Sequence, residues 1–335
     1  MKRIYIYLLG FVLIVMAACV QQENATSDGN NENTDGLKPI SFSLDWTPNT
    51  NHTGIYVAKE KGFFEEEGLD VDIMLPGEVG ANQLIATGEA DFGIGVQEHV
   101  TIARDEDLPI VSVAAIIQHN TAGYASPVEN DITEPKDFEG KTFGAVGNDL
   151  ERAMMQTIME ENGADYSSVE FKNIGDADYF TAVERDIDFS LVYQGWTGIE
   201  ADLRDQDLNM VYLKDFSEAL DFYTPLIATS EKMIEDDPDT VEAFVHAAIK
   251  GYEYAIDNPD EAAEILIDSE PDVDAELIKQ SQKWLSEKYQ DDADQFGIQE
   301  KERWEMTKDF MLEHEIITKD LDMEEAFTNE FLLQE

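Results

Sequence analysis

Two short stretches gather side chains suited to recognising a small flat molecule. The first is Leu44-Asp45-Trp46-Thr47-Pro48-Asn49-Thr50-Asn51-His52-Thr53-Gly54-Ile55-Tyr56, and the second is Tyr193-Gln194-Gly195-Trp196-Thr197-Gly198-Ile199-Glu200. An indole or phenol offers a face for stacking on a ring, while an amide or an imidazole can hydrogen-bond the ring's edge. In the second stretch two aromatics flank a glycine, and a carboxylate follows one turn on. Outside them, Gln97 and Glu98 close an apolar run, Gly147-Asn148-Asp149 precedes a helical pattern whose first N–H groups can meet a polar ligand, and Tyr223 sits in a connection near Pro225. The expected ligand-binding residues are Trp46, Asn49, His52, Tyr56, Glu98, Asn148, Tyr193, Trp196, Glu200 and Tyr223, with Trp46 and Glu200 foremost. Several also have a purely structural reading: His52 as a helix cap, Tyr56 as core, Glu98 as a solvated acid, Trp46 as a packing aromatic.

Catalytic patterns do not emerge. The histidines are His52, His99, His119, His246 and His314, and none pairs with another at the helical spacing of a zinc site. The sequence has no phosphate-cradling loop, no GxSxG elbow and no dinucleotide GxGxxG, and Gly93-Ile94-Gly95 lacks its third glycine. No catalytic residue, metal site or cofactor is expected.

The elements that must position these residues follow from the apolar pattern. Strand-like runs at Pro39–Asp45, Leu69–Leu75, Asp91–Val96 and Pro109–Ile116 alternate with helical ones at His52–Glu66, Ala81–Thr87 and Val100–Arg104. A second set places strands at Lys141–Val146, Val169–Ile174, Ile187–Tyr193 and Leu208–Leu213, with helices at Asp149–Asn162, Asp178–Arg185 and Gly198–Arg204. This rhythm predicts α/β units with mostly parallel sheets. Two proline-containing segments, Thr121–Pro135 and Phe222–Ser230, cross between the sets, and from Asp237 onward the pattern is helical, with Asp237-Pro238 opening the best helix. The reading is one discontinuous domain, residues 37–126 plus 224–335, with a second domain, 127–223, inserted. The two crossings then form a two-segment hinge over a cleft. In such sheets ligands sit beyond the carboxyl ends of the strands, where both aromatic stretches lie.

Ahead of the folded body, Lys2 and Arg3 precede an apolar run from Leu8 to Ala18, too short to span a bilayer and patterned as a secretory signal, residues 1–18. Met16-Ala17-Ala18-Cys19 resembles a bacterial lipobox, which implies lipidation at Cys19. The polar stretch to Gly36 then serves as a flexible tether, residues 19–36. The expected location is the extracytoplasmic face of a cell membrane, held by the lipid alone. Cys19 is the only cysteine, so no internal disulfide can form. The formal charge is −51, from 73 acidic and 22 basic residues, and it would repel nucleic acid and anionic lipid. These acids are spread along the chain, as a solvated surface suited to high salt or an alkaline medium would be. A monomer is expected.

The stretch LDWTPNTNHTGIYVAKEKGFFEEEGLDVDI resembles the opening of thiamine-pyrimidine-precursor binding proteins, the extracellular components of ABC importers. LIATGEADFGIGVQEHV and DIDFSLVYQGWTGIEAD extend the resemblance through both domains. It implies the type II periplasmic-binding-protein fold, an aminopyrimidine ligand of the formyl-aminomethyl type salvaged from thiamine, and a permease with its ATPase as partners. Two alternatives are another flat heterocycle such as riboflavin, and a pyridoxal-phosphate-dependent pyrimidine synthase of the related fungal type. Those synthases carry a run of cysteines, and no cysteine follows Cys19 here.

Overall fold

The computed structural model describes residues 36–175 and 177–333. The expected signal, Cys19 and the tether up to residue 35 lie outside the described residues. No helix among those described is long and apolar enough to cross a membrane.

The first lobe begins with strands β1 (Lys38–Ser43), β2 (Leu69–Met74), β3 (Phe92–Gly95) and β4 (Ile110–Ala115). Between them run helices α1 (Thr53–Glu60), α2 (Phe63–Glu66), α3 (Ala81–Thr87) and α4 (Gln97–Asp105). Strands β3 and β4 are buried along their whole length, as near-continuous apolar runs covered on both faces must be. The single helix expected over His52–Glu66 is broken. Gly62 adopts the left-handed region at φ 76°, which a glycine enters without steric cost, and this turns the chain between α1 and α2.

The second lobe holds β5 (Ala122–Pro127), β6 (Thr142–Ala145), β7 (Glu170–Asn173), β8 (Phe189–Tyr193) and β9 (Leu208–Tyr212), with α5 (Asp149–Glu161), α6 (Tyr179–Arg185), α7 (Ile199–Leu203) and α8 (Leu213–Phe216). The chain then returns through β10 (Leu226–Ser230) and α9 (Glu231–Asp236) to α10 (Pro238–Asp257), α11 (Pro259–Ser269), α12 (Ala275–Leu285) and α13 (Lys301–Glu313).

The two sheets have the orders β2-β1-β3-β10-β4 and β7-β6-β8-β5-β9. Each is parallel in its first three strands and takes in one antiparallel strand from a crossing: β10 pairs with β3 and β4, and β5 with β8 and β9. Both sheets are therefore mostly parallel, as expected, with one strand in each, supplied by a crossing segment, running against the other four. The outgoing boundary moves. Strand β5 belongs wholly to the second sheet, so the lobe begins before Ala122 and not after residue 126. Nor does the tail stay with the first lobe: Phe310, Met311 and Ile317 join the second lobe's core, while Trp304, fully buried, stacks on Phe327 beside β10.

Helix α10 carries the first core. Val241, Phe244, Val245, Ala248, Ile249 and Tyr252 recur at helical spacing and are all fully buried. Phe244 stacks on Phe92 with ring centroids 4.0 Å apart, and on Phe64 at 5.1 Å. Helices α1 and α10 approach so closely that a Cβ on Gly251 would lie 2.0 Å from the carbonyl oxygen of Gly54. That approach fixes α1, and with it the loop that precedes it.

Candidate functional site

Strands β1 and β3 of the first lobe, and β6, β7 and β8 of the second, end on a common cleft. A cavity of about 430 Å³ lies there, lined from the first lobe by Asp45, Trp46, Asn49 and Val96, and from the second by Val146, Ile174, Tyr179, Leu191, Tyr193 and Trp196. The crossings supply Thr121, Thr224 and Pro225. Its volume falls within the range of about 300–1,000 Å³ usual for small-molecule pockets.

Three expected aromatics meet in it. Trp46 is 56% exposed and Tyr193 44%, unusual for large rings, because both face the cleft. Trp196 approaches Trp46 edge-on across the lobes, with centroids 6.2 Å apart and planes at 77°. The loop bearing Trp46 is held from below. Tyr289 donates to the carbonyl of Thr50 at 2.6 Å and Tyr252 to that of Asn51 at 2.8 Å. Thr50 also shares a 2.6 Å hydrogen bond with Ser281 on α12, whose hydroxyl donates to the carbonyl of Gly195 in the other loop. One helix thus ties both aromatic loops together.

Asn49 reaches the wall, but its amide is already engaged. It donates to the Thr47 carbonyl at 2.9 Å and accepts from the Asn51 N–H at 2.9 Å, capping a short 3₁₀ turn. His52 does not reach the cavity. It is fully buried, its Nδ1 accepting from the Asn49 N–H at 3.2 Å while Nε2 lies 2.7 Å from Asp45 Oδ1. With Nδ1 the acceptor, Nε2 donates to Asp45. His52 is therefore a support, and the carboxylate it orients is the group that faces the cavity. Burial acts to raise the Asp45 pKa, but the hydrogen bond from His52 heads the opposing effects, which together hold the group below the usual aspartate range.

Three more expected residues lie elsewhere. Tyr56 is core, and its hydroxyl donates to Glu270 at 2.6 Å in a separate pocket behind Trp196. Glu200 is ion-paired with Arg204 one turn along α7, whose guanidinium lies over the Phe180 ring, so it turns away from the cavity. Tyr223 is fully buried. Its hydroxyl accepts from the Glu300 N–H at 2.9 Å and Arg303 covers its face at 4.5 Å, which leaves its neighbours Thr224 and Pro225 as the lining residues.

Glu98 and Asn148 line a second compartment of about 630 Å³, which shares Asp45, Val96, Val146, Leu191 and Tyr193 with the first. Asn148 caps α5 by accepting from the Glu151 N–H at 2.8 Å. Glu98 is only 7% exposed, and desolvation pushes its pKa up to about 7. No lysine or arginine is among the residues lining either compartment. Arg152, on α5, lies over the Phe171 ring at 4.5 Å.

Sequence reasoning passed over Asp45, Thr121, Ile174, Tyr179, Leu191 and Thr224. Only Asp45 carried a usable signal, since it precedes Trp46 directly at the end of β1.

Known proteins resemble this chain in sequence and in fold. The sequence model of the family described as NMT1/THI5 like matches residues 49–262. The chain is 31% identical to a formylaminopyrimidine-binding protein of Halalkalibacterium halodurans, over 98% of this chain and 99% of that one. It is 26% identical to a 4-amino-5-hydroxymethyl-2-methylpyrimidine phosphate synthase of Saccharomyces cerevisiae, over 71% and 73% of the two chains. Among solved structures, a periplasmic sulfonate-binding protein of Methylobacillus flagellatus superposes with a TM-score of 0.67 at 13% identity, covering 89% of this chain and 93% of that one. At that identity the likeness shows the fold, which is that of the type II periplasmic binding proteins.

Proposed function

The chain belongs to the NMT1/THI5-like family, and we propose that it is a solute-binding protein for a thiamine-derived aminopyrimidine of the formylaminopyrimidine type. It would act outside the cytoplasm, anchored through a lipid on Cys19, and deliver its ligand to the permease and ATPase of an ABC importer for thiamine salvage. The observation that carries this reading is the convergence of Trp46 from one lobe with Tyr193 and Trp196 from the other on a single apolar cavity. A planar heterocycle fits between such faces, and burying it there would draw the lobes together by hinge motion. Asp45, held ionised by His52, offers an acceptor for the exocyclic amine or for a protonated ring nitrogen. An anionic ligand would instead need cations in the lining.

Native mass spectrometry of the purified mature protein, with and without added formylaminopyrimidine, tests the proposal. A one-to-one complex with micromolar or tighter affinity is expected, and failure to bind any 4-aminopyrimidine would overturn it. The family's synthases provide the enzymatic alternative, in which pyridoxal phosphate is held by a lysine amine. That reading predicts absorbance from an internal aldimine when the cofactor is added, whereas no spectral change is expected here.

A further inference from the structure

Beyond Tyr193 the cleft continues into the second compartment, and its chemistry differs from that of the first. Two buried acceptor oxygens line it without any hydrogen-bond partner: Oε2 of Glu98, at the start of α4, and Oδ1 of Asn82, on α3. A buried polar atom left unpaired costs free energy that a matching donor recovers. The other charged groups facing this space do not supply that donor. Asp45 is engaged with His52, and the carboxylate of Glu151 accepts from the Val146 and Gly147 N–H groups at 3.2 and 3.0 Å. His99 is held below its ordinary pKa by desolvation, and it makes no hydrogen bond to either of these oxygens. Tyr193 forms the shared wall.

We infer that this compartment is a second subsite of the cleft, which takes an arm of the ligand bearing N–H donors, best of all a primary ammonium, between Glu98 and Asn82, and rejects phosphorylated or carboxylated arms. The inference rests on the functional reading above and deepens it. With the ring stacked at Trp46 and Tyr193, a substituent directed past Tyr193 meets two acceptors and no cation. The free aminomethyl compound thereby becomes a ligand in its own right, and ester phosphates are excluded by charge. Pairing with an ammonium favours the ionised form of Glu98, whose pKa without ligand is about 7. Binding between pH 6 and 7 should therefore release a proton, and affinity should rise as the pH climbs through 7.

The test is calorimetric titration of the mature protein with four 4-amino-2-methylpyrimidines carrying methyl, hydroxymethyl, aminomethyl or phosphorylated hydroxymethyl groups at C5. The aminomethyl compound should bind about tenfold more tightly than the hydroxymethyl one, as a charge-assisted hydrogen bond in a buried site implies. The phosphate ester should bind most weakly of the four, and Glu98→Gln should bring the amine-to-hydroxyl ratio close to one. Should that variant fail to fold, the wild-type protein alone decides, because amine binding at pH 6.5 in buffers of different ionisation enthalpy should show proton release. Equal affinities for the amine and hydroxyl compounds, an unaltered ratio in Glu98→Gln, or no proton release would overturn the subsite. If the 5-methyl compound and the other three all fail to bind, it is the functional reading that falls.

Discussion

The loops after β1 and β8 begin alike and end differently. Each leaves a parallel strand, presents an aromatic to the cleft within three residues, and continues into a short helix. In the first, His52 turns inward, loses all exposure and aims Asp45 at the cavity. In the second, Glu200, four residues beyond Trp196, turns outward and pairs with Arg204. The difference is one of helical phase. Side chains at the strand end and in the following loop face the cleft, whereas one helical turn later the direction is set by what the helix packs against. Proximity in sequence to an aromatic motif thus does not make a residue part of the site.

Substitutions can break this comparison at several strengths. Gly251→Ala strikes the seat of the first loop, because a methyl there collides with the Gly54 carbonyl. It should cost about 3 kcal/mol of stability, at the upper end for overpacking, and lower the thermal midpoint measured by circular dichroism. Trp46→Ala should leave the fold intact and weaken aminopyrimidine binding by roughly ten- to a hundredfold, as loss of a stacking partner worth about 1–3 kcal/mol implies. His52→Gln should cost about 1–2 kcal/mol, a charged hydrogen bond discounted because Asp45 opens onto the cleft. Its pH dependence has a definite sign. The Asp45 pKa is lowered by folding, so its contribution is complete above the ordinary aspartate pKa and disappears as the pH falls through the lowered one. The acid-unfolding midpoint of His52→Gln should accordingly lie at higher pH than that of the wild type. Glu200→Ala should be the mildest, changing affinity less than about twofold and stability by about 0.5 kcal/mol or less, since exposed helix pairs contribute little. A large loss of affinity in that variant would mean that the second loop reorients toward the ligand.

Much of the scaffold was legible because burial periodicity is a strong signal. Helix α3 has the bounds read from the sequence, Ala81–Thr87, and the stripe on α10 is buried as its spacing requires. What escaped was set by tertiary context. The crossing segment read as extended becomes a sheet strand, β5, only because β8 and β9 present edges on either side of it. Tyr223 looked like a hinge-side ligand contact, but the tail brings Glu300 and Arg303 over it, from more than seventy residues away. The aromatics Trp46, Tyr193 and Trp196 were readable because large rings in loops after strands have few other places to go. The directions of Glu98 and Glu200 depend on packing partners that no local pattern specifies.

In the proposed mode of capture, a ring lies between faces from both lobes. A crystal structure of the mature protein with formylaminopyrimidine addresses this directly. The pyrimidine should lie in van der Waals contact with Trp46 on one side and Tyr193 on the other, with its amine toward Asp45. A ligand found outside that cavity, or seated on one lobe with Trp46 turned away, would contradict it.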